Sequence, residues 1–484
     1  MLKLYQDTPQ EEKSTLCIPG GNKIYFISLG CPRNLVDTEV MLGILLKEGY
    51  ETVEALEEAD YIVINTCAFL KASRDESLSA IEESMVHRKK GAKVVVTGCM
   101  VQLHDADIKK VFPDVDYLLG SGDVEGILRA VRSHEQGTEI TSARSYLEAG
   151  EVPRQVSTPK HYAYLKIAEG CRKRCAYCSI PSIKGPLKSK PVEQIIKEFR
   201  ILRNQGVKEI ILIAQDLGDW GKDKGYKRTE GLLLLLQEIL KEEGDFYLRL
   251  LYLYPDEITH SLIKLMKSDS RICPYLDMPL QHINNTVLKN MHRATSREEI
   301  IETLRLLRMQ IPNISIRTSL IVGFPGETEE QFQELVTFIK EYPLDHIGIF
   351  KYSQEEGTPA ALLPDQIPEK VKEQRQRRLA KEQQKVLKKV LAKMIGKRLH
   401  VVIESYHPES PLLMRGRHLG QCPEIDSEVL INDAECVDAF GVWYDVEITD
   451  VSGYDLIGRA IRKTGIADKS NKSNNVKCTK SNGE

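Results

Sequence analysis

The sequence has little that would hold it in a membrane or send it through one. Apolar runs stay brief: Leu232–Leu236 is five residues, where a bilayer span takes roughly 20. The following Gln237-Glu238-Ile239-Leu240-Lys241 marks that run as part of a core helix. Met1–Lys13 is polar and acidic, without an apolar signal core, so no export is expected. Neither sign of charge dominates. There are 67 Lys and Arg against 70 Asp and Glu, a net of −3, which excludes no class of partner. Cysteine is sparse, 11 in 484 residues. With no export signal this fits a reducing cytoplasm, where thiols bind metal or do chemistry and disulfides are not expected. Length exceeds one ordinary core, so two or three domains are expected.

Against that scarcity, three cysteines crowd into Glu169-Gly170-Cys171-Arg172-Lys173-Arg174-Cys175-Ala176-Tyr177-Cys178. Three residues separate the first pair and two the second, so one loop can bring all three thiolates onto one inorganic centre. Iron–sulfur clusters are held by thiolates, usually four. Three would leave one iron of a 4Fe–4S cube open to a substrate. A structural zinc is the alternative, but it closes with four ligands, usually from paired knuckles, and the chain has no second knuckle. Tyr162–Ile167 alternates and is rich in β-formers, so the loop follows a strand. In α/β folds ligands bind past that end of a strand.

Three parts are legible. In residues 22–150, the apolar strands Ile24–Gly30, Tyr61–Thr66 and Val94–Gly98 each run into a cysteine: Cys31, Cys67 and Cys99. Helical stretches such as Val40–Lys47 and Ser73–Arg88 alternate with them, which predicts a doubly wound parallel sheet. Such a sheet has all its C-terminal strand ends on one edge. The three cysteines would meet there, although 36 and 32 residues separate them. Three unrelated core cysteines are the bland alternative.

Residues 155–388 hold six strand–helix units. The strands are Tyr162–Ile167, Glu209–Ala214, Tyr247–Leu253, Leu276–Leu280, Ile314–Val322 and His346–Lys351. They predict an open (βα)6 barrel, with Thr328–Gln331 as a capping box. In residues 393–462, short strands at Leu399–Ile403, Glu428–Ile431 and Val442–Ile448 predict a small β-barrel. The Lys-, Asn- and Ser-rich tail 463–484, with Cys478, reads as disordered.

The cysteine loop, with Tyr177 before its last cysteine, resembles the radical S-adenosylmethionine superfamily. The order of the three parts resembles its methylthiotransferase family, from about Lys23 to Arg462: an N-terminal three-cysteine domain, a radical core and a C-terminal TRAM barrel. The resemblance implies two 4Fe–4S clusters, one on Cys171, Cys175 and Cys178, the other, auxiliary, on Cys31, Cys67 and Cys99. It implies S-adenosylmethionine as methyl donor and as source of a 5′-deoxyadenosyl radical, and a new S-methyl group on the product. Gln215, Asp216, Gly323, Gly326 and Glu327 stand where S-adenosylmethionine contacts would be expected. No catalytic residue beyond the cluster sites is assigned. His282 and the Arg172-Lys173-Arg174 run read more readily as structural and solvated.

One branch of the family modifies a transfer-RNA adenosine near the anticodon; another modifies an aspartate of small-subunit ribosomal protein S12. The runs Ser28-Leu29-Gly30-Cys31-Pro32-Arg33-Asn34, Ala214-Gln215-Asp216, Leu250–Pro255, Phe350–Thr358 and Pro423-Glu424-Ile425-Asp426 resemble the ribosomal branch. Partners implied are S12 or its subunit, a flavodoxin-like or ferredoxin-like electron donor and a sulfur donor, with neither membrane nor DNA. Charge agrees. Residues 395–462 hold six Lys or Arg against twelve Asp or Glu. An RNA-binding barrel should be basic, whereas an acidic one attracts a basic protein. This barrel is expected to stand apart from the cysteine loop, with Glu424, Asp426 and Glu428 facing that partner. A metal protein using these cysteines for structure or iron storage stays open beside both readings.

Overall fold

The computed structural model describes residues 21–141, 146–148 and 152–465. The expected polar N-terminus and Cys478 lie outside them. The first sheet contains β1 (Lys23–Ser28), β2 (Glu51–Thr52), β3 (Tyr61–Thr66), β4 (Lys93–Gly98), β5 (Tyr117–Gly120) and β6 (Gly137–Glu139), all parallel, in the order β2-β1-β3-β4-β5-β6. β3 is buried along its whole length, as a continuous Ile/Val run requires. Helices Pro32–Lys47 and Ile127–Arg132 share a core with one face through Val40, Leu45, Ile127 and Val131. Helices Lys71–His87 and Cys99–Val111 cover the other through Ile81, Met100, Val101 and Ile108. The sheet is doubly wound. Its strand order reverses between β1 and β3, the kind of crevice where α/β sheets bind ligands.

The second sheet contains β7 (Tyr162–Lys166), β10 (Glu209–Ile213), β11 (Tyr247–Leu250), β12 (Ile272–Asp277), β13 (Ser315–Val322) and β14 (His346–Lys351). A small antiparallel pair, β8 (Ala168–Glu169) with β9 (Lys188–Ser189), sits beside it. The order β14-β13-β12-β11-β10-β7 does not close, so this is the expected open, partial barrel. Ile195, Phe199 and Leu202 turn one outer helix inward, and Phe332, Leu335 and Phe338 turn another. The Thr328 capping box is present with Gln331 as its partner. The fourth strand is displaced from the expected Leu276–Leu280 to Ile272–Asp277. Pro274 lies within it. It is tolerated because Leu248 pairs with Ile272 and Leu250 with Leu276, so β12 bulges opposite β11 and no ladder donor is needed from the proline.

The third unit is a closed five-stranded barrel: β15 (Arg398–His407), β16 (Ser410–His418), β17 (Val429–Asp433), β18 (Val442–Ser452) and β19 (Asp455–Thr464). Two of these strands, β16 and β19, were not foreseen. β19 pairs Thr464 with Trp443, so Lys463 and Thr464 belong to the barrel rather than to a tail.

This barrel does not stand apart. Val402, Cys422 and Trp443 pack with Tyr162, Tyr164, Tyr247 and Tyr275 from the radical-core strands, and Val36 of the first unit joins the same cluster. Of Glu424, Asp426 and Glu428, expected to face a partner, only Asp426 is withdrawn from the surface; Glu424 is exposed and Glu428 half-exposed. Asp426 is buried: it accepts from Tyr275 Oη at 2.8 Å and pairs with Arg317 at 3.3 Å. Glu424 accepts from Tyr162 Oη at 2.9 Å, and Glu428 pairs with Arg415, both half-exposed on the barrel. Glu404 is likewise committed to Arg417 and His161, each at 2.8 Å. The phenols and guanidiniums lining the sheet's inner face need acceptors where water is excluded, and the barrel's acids supply them. Exposed acids stand at Glu409, Glu424, Asp433, Glu435, Asp438 and Asp450.

Candidate functional site

The loop triad begins where β8 ends. Gly170 has φ +77°, and a Cβ there would fall 2.1 Å from the Pro186 carbonyl oxygen, so the turn requires glycine. Cys171 N donates to Gly185 O and Cys178 N to Cys175 O, which folds the loop back on itself. Lys173 does not wave in solvent. Its ammonium lies 3.0 Å from Glu257, 3.2 Å from Asp256 and 3.6 Å from Asp216. Lys222 sits 2.7 Å from Asp219 and 2.6 Å from Glu257. The carboxylates of Asp216, Asp219 and Glu257 lie within 4.8 Å of one another, and the two ammoniums supply the cations such a cluster demands. Behind the loop, Arg293 stacks over Tyr254 at 3.9 Å and lies 3.8 Å from Cys175 Sγ.

The second triad is collected from three strand ends. Cys31 caps helix Pro32–Lys47, Cys67 follows β3, and Cys99 opens helix Cys99–Val111. Gly30, with φ +91°, lets the first two ends touch: its Cβ would fall 2.8 Å from that of Cys67. Asn34 and Asn65 lock them. Asn34 Nδ2 donates to Leu29 O at 2.6 Å, and Asn65 Nδ2 to Asn34 O at 2.9 Å. Burial pushes Cys67 up, Cys99, Cys171 to about 12 and Cys178 to about 11. Cys31 is also buried, but Arg33 and two backbone amides outweigh burial and hold its thiol low. Coordination by iron removes these protons outright. Among the described residues neither triad has three sulfurs within 4.8 Å of one another. A tetrahedral zinc would hold them about 3.8 Å apart; the wider spacing and the missing fourth ligand suit clusters.

The loop triad and Cys31 of the strand-edge triad open on one cavity of about 400 Å³, whose lining does not include Cys67 or Cys99. Cys31, Arg33, Phe69 and Leu70 line it from the first unit, and Cys171, Cys175 and Cys178 from the loop. Tyr252, Tyr254, Asp277, Gln281 and Arg317 line it from the core, and Ile425 from the barrel. Of the expected S-adenosylmethionine contacts, only Gln215 lines this cavity. Asp216 is buried among the lysines just described. Glu327 accepts from the amides of Gly323 and Phe324 and pairs with Arg375 at 3.3 Å. It thereby folds the Gly323–Gly326 turn onto itself, and none of the three reaches the cavity lining.

Residues 23–120 match the uncharacterized protein family UPF0004, residues 165–339 the Radical SAM superfamily, and residues 395–461 the TRAM domain. The ribosomal protein uS12 methylthiotransferase RimO of Protochlamydia amoebophila is 67% identical over 93% of this chain and 95% of its own. The chain belongs to the RimO family of methylthiotransferases. The RimO of Chlamydia felis is 58% identical over 91% of this chain and 96% of its own. Among solved structures, the radical S-adenosylmethionine methyltransferase TsrM of Kitasatospora setae superposes with a TM-score of 0.52. It is 16% identical and covers 71% of this chain and 77% of that one, a likeness of fold alone.

Some of this RimO-family site escaped sequence reasoning. Tyr254 and Arg293 stand 79 and 118 residues from the cysteine they flank, and no local pattern announces them. Lys173 was visible but read as solvated, because a charge in a loop reads so until its partners are known. His282 is structural, as expected. It is buried, its Nδ1 accepts from Asn284 N at 3.0 Å, and burial, with Arg375, pushes it down to about 3.

Proposed function

We propose that this chain transfers a methylthio group to the β-carbon of an aspartate of ribosomal protein uS12. The observation that carries the reading is one cavity lined by the loop triad and by Cys31 of the strand-edge triad, in a chain aligned over nearly its whole length with uS12 methylthiotransferases. In this reading residues 22–150, 155–388 and 393–462 are the three domains. Cys31, Cys67 and Cys99 hold the auxiliary 4Fe–4S cluster, and Cys171, Cys175 and Cys178 the one that binds S-adenosylmethionine. Bound there, these groups supply hydrogen abstraction from an unactivated carbon and a methylated sulfur.

The chain's own residues do the rest. The Lys173 ion pairs fix the cysteine loop against the 216–222 and 255–257 segments. Arg293 and Arg33 place positive charge beside thiolates that would otherwise be buried without a counter-ion. Phe69, Leu70 and Ile425 wall the cavity against water, which would quench a primary radical. An electron donor of flavodoxin or ferredoxin type and a sulfur donor complete the reaction. The setting is the cytoplasm; among the described residues no helix is long and apolar enough to cross a membrane.

Mass spectrometry of uS12 and of transfer RNA from a deletion strain tests this reading. Loss of the methylthio group from uS12, restored by this gene, is the expected result. Loss from a transfer-RNA adenosine, with uS12 unchanged, overturns it.

A further inference from the structure

Three cations line the shared cavity: Arg33, Arg317 and Lys351. Two are already neutralised. Arg317 pairs with Asp277 at 3.0 Å and Asp426 at 3.3 Å. Lys351 pairs with Glu369 and Glu373. Among the described residues no carboxylate pairs with Arg33. Its Nη1 donates to Ala214 O at 2.8 Å, and its guanidinium carbon lies 5.0 Å from the centre of the Tyr252 ring. The side chain also hydrogen-bonds the Cys31 thiol, yet a planar group with five N–H donors has more to give than one carbonyl and one sulfur take. A buried guanidinium without an anion is costly, and its fork matches a carboxylate in two parallel hydrogen bonds.

Position adds the second argument. Arg33 lines the cavity together with its near neighbour Cys31 of one triad and with Cys171, Cys175 and Cys178 of the other. In an aspartate the β-carbon is bonded directly to the carboxylate carbon. A carboxylate gripped here would carry its β-carbon into the cavity lined by the loop cysteines and Cys31.

We propose that Arg33 binds the side-chain carboxylate of the substrate aspartate, and so selects an acidic residue and sets which carbon is presented. This rests on the function proposed above. The thiolates alone are a rival claim on the same charge, and the carboxylate of S-adenosylmethionine is another; the test separates all three.

The test measures binding of two fluorescent uS12 peptides, one carrying the target aspartate and one asparagine in its place, to cluster-reconstituted enzyme with S-adenosylmethionine. Equilibrium binding needs no turnover, so it reads variants that are catalytically dead. Wild type should prefer the aspartate peptide by roughly ten- to a hundredfold, the usual range for a charge-assisted pair. Arg33→Gln should bind both peptides within about threefold of each other, and Arg33→Lys, which keeps charge but loses the fork, should fall between. Because the ratio is taken within each protein, any change in cluster content cancels. An aspartate preference in Arg33→Gln equal to that of wild type overturns the proposal and leaves the guanidinium as counter-charge to the thiolates. The same unchanged preference with S-adenosylmethionine affinity lowered overturns it in favour of the cofactor's carboxylate. If wild type binds the peptide but never methylthiolates it, the proposed function fails while the peptide ratio still judges Arg33. A wild type that does not distinguish the peptides overturns the assignment alone.

Discussion

The two thiol triads meet one cavity, one through all three cysteines and the other through Cys31, and are built in opposite ways. Cys171, Cys175 and Cys178 lie within eight residues and owe their convergence to a loop. Its conformation is set by Gly170, by amide contacts such as Cys171 to Gly185, and by the Lys173 ion pairs. Cys31, Cys67 and Cys99 owe theirs to an entire sheet. Nothing joins them locally; three strands in parallel register deliver them to one edge. A loop site can be damaged by one side chain and spared by distant ones. A sheet-edge site inherits the stability of every residue packed beneath it.

Removing each triad gives the largest contrast. The reconstituted wild type should hold about eight irons. Replacing Cys171, Cys175 and Cys178 by Ala should leave about four and abolish release of 5′-deoxyadenosine. Replacing Cys31, Cys67 and Cys99 should also leave about four, keep 5′-deoxyadenosine release and abolish methylthiolation. Full iron content in the second variant would dismantle the convergent-edge assignment.

A smaller effect is expected where the two sites are held in register. Arg74, on helix Lys71–His87, pairs with the buried Glu355 of the core, and Lys71 N donates to the same carboxylate at 3.1 Å. Glu355→Gln should leave both clusters in place but loosen the Phe69–Leu70 wall. Chromatographic ratios of 5′-deoxyadenosine to methylthiolated product should rise roughly tenfold, the scale on which misplacement of reacting groups acts. A ratio equal to that of wild type would show that the pair does not position the two halves.

Packing should discriminate next. Ile64 in β3 is fully buried. Ile64→Ala should cost about 3 kcal/mol through lost contacts and a residual cavity. On heating, iron held by the strand-edge triad should be released at a lower temperature than iron held by the loop. Simultaneous release from both would mean that the sheet does not carry its triad independently.

Acid should act most gently, and on the opposite half. His282 is held neutral, with its folded value pushed from 6.5 to about 3 by burial. The unfolded chain therefore takes up a proton that the folded one refuses. The stabilisation is complete above about pH 6.5 and declines by up to ~1.4 kcal/mol per pH unit as pH falls toward 3. Both tryptophans, Trp220 and Trp443, lie outside the first sheet, so their fluorescence during denaturation reports this half. His282→Asn should flatten that dependence; a slope equal to that of wild type would remove His282 from the account.

The sequence was most readable where one residue type repeats a position. Apolar strands that each end in cysteine announce both a parallel sheet and its edge. It was least readable where the signal is spread through space. β19 reads Leu456, Gly458, Ala460 on one alternating set, and small residues at the crowded seam with β18 erase the apolar rhythm that marks a strand. Pro274 hides β12, because a bulge is a property of two strands and is seen in neither alone. The barrel's acids were countable, but counting could not tell Asp426, buried against Arg317, from Asp433, which is exposed. Arg33 was in plain view beside Cys31; what could not be read was that its neighbours in the cavity are already paired.

Ile425 has a consequence in time. It completes the cavity wall from the last-made part of the chain, some 250 residues after the loop cysteines and almost 400 after Cys31. During synthesis from the N-terminus, the sheet edge and the loop both emerge while that side is still missing. The interval before residue 425 leaves the ribosome is when a cluster carrier has its widest approach to both triads. Once the final barrel folds down, Ile425 lines one side of that cavity and narrows the approach to Cys31 and the loop triad.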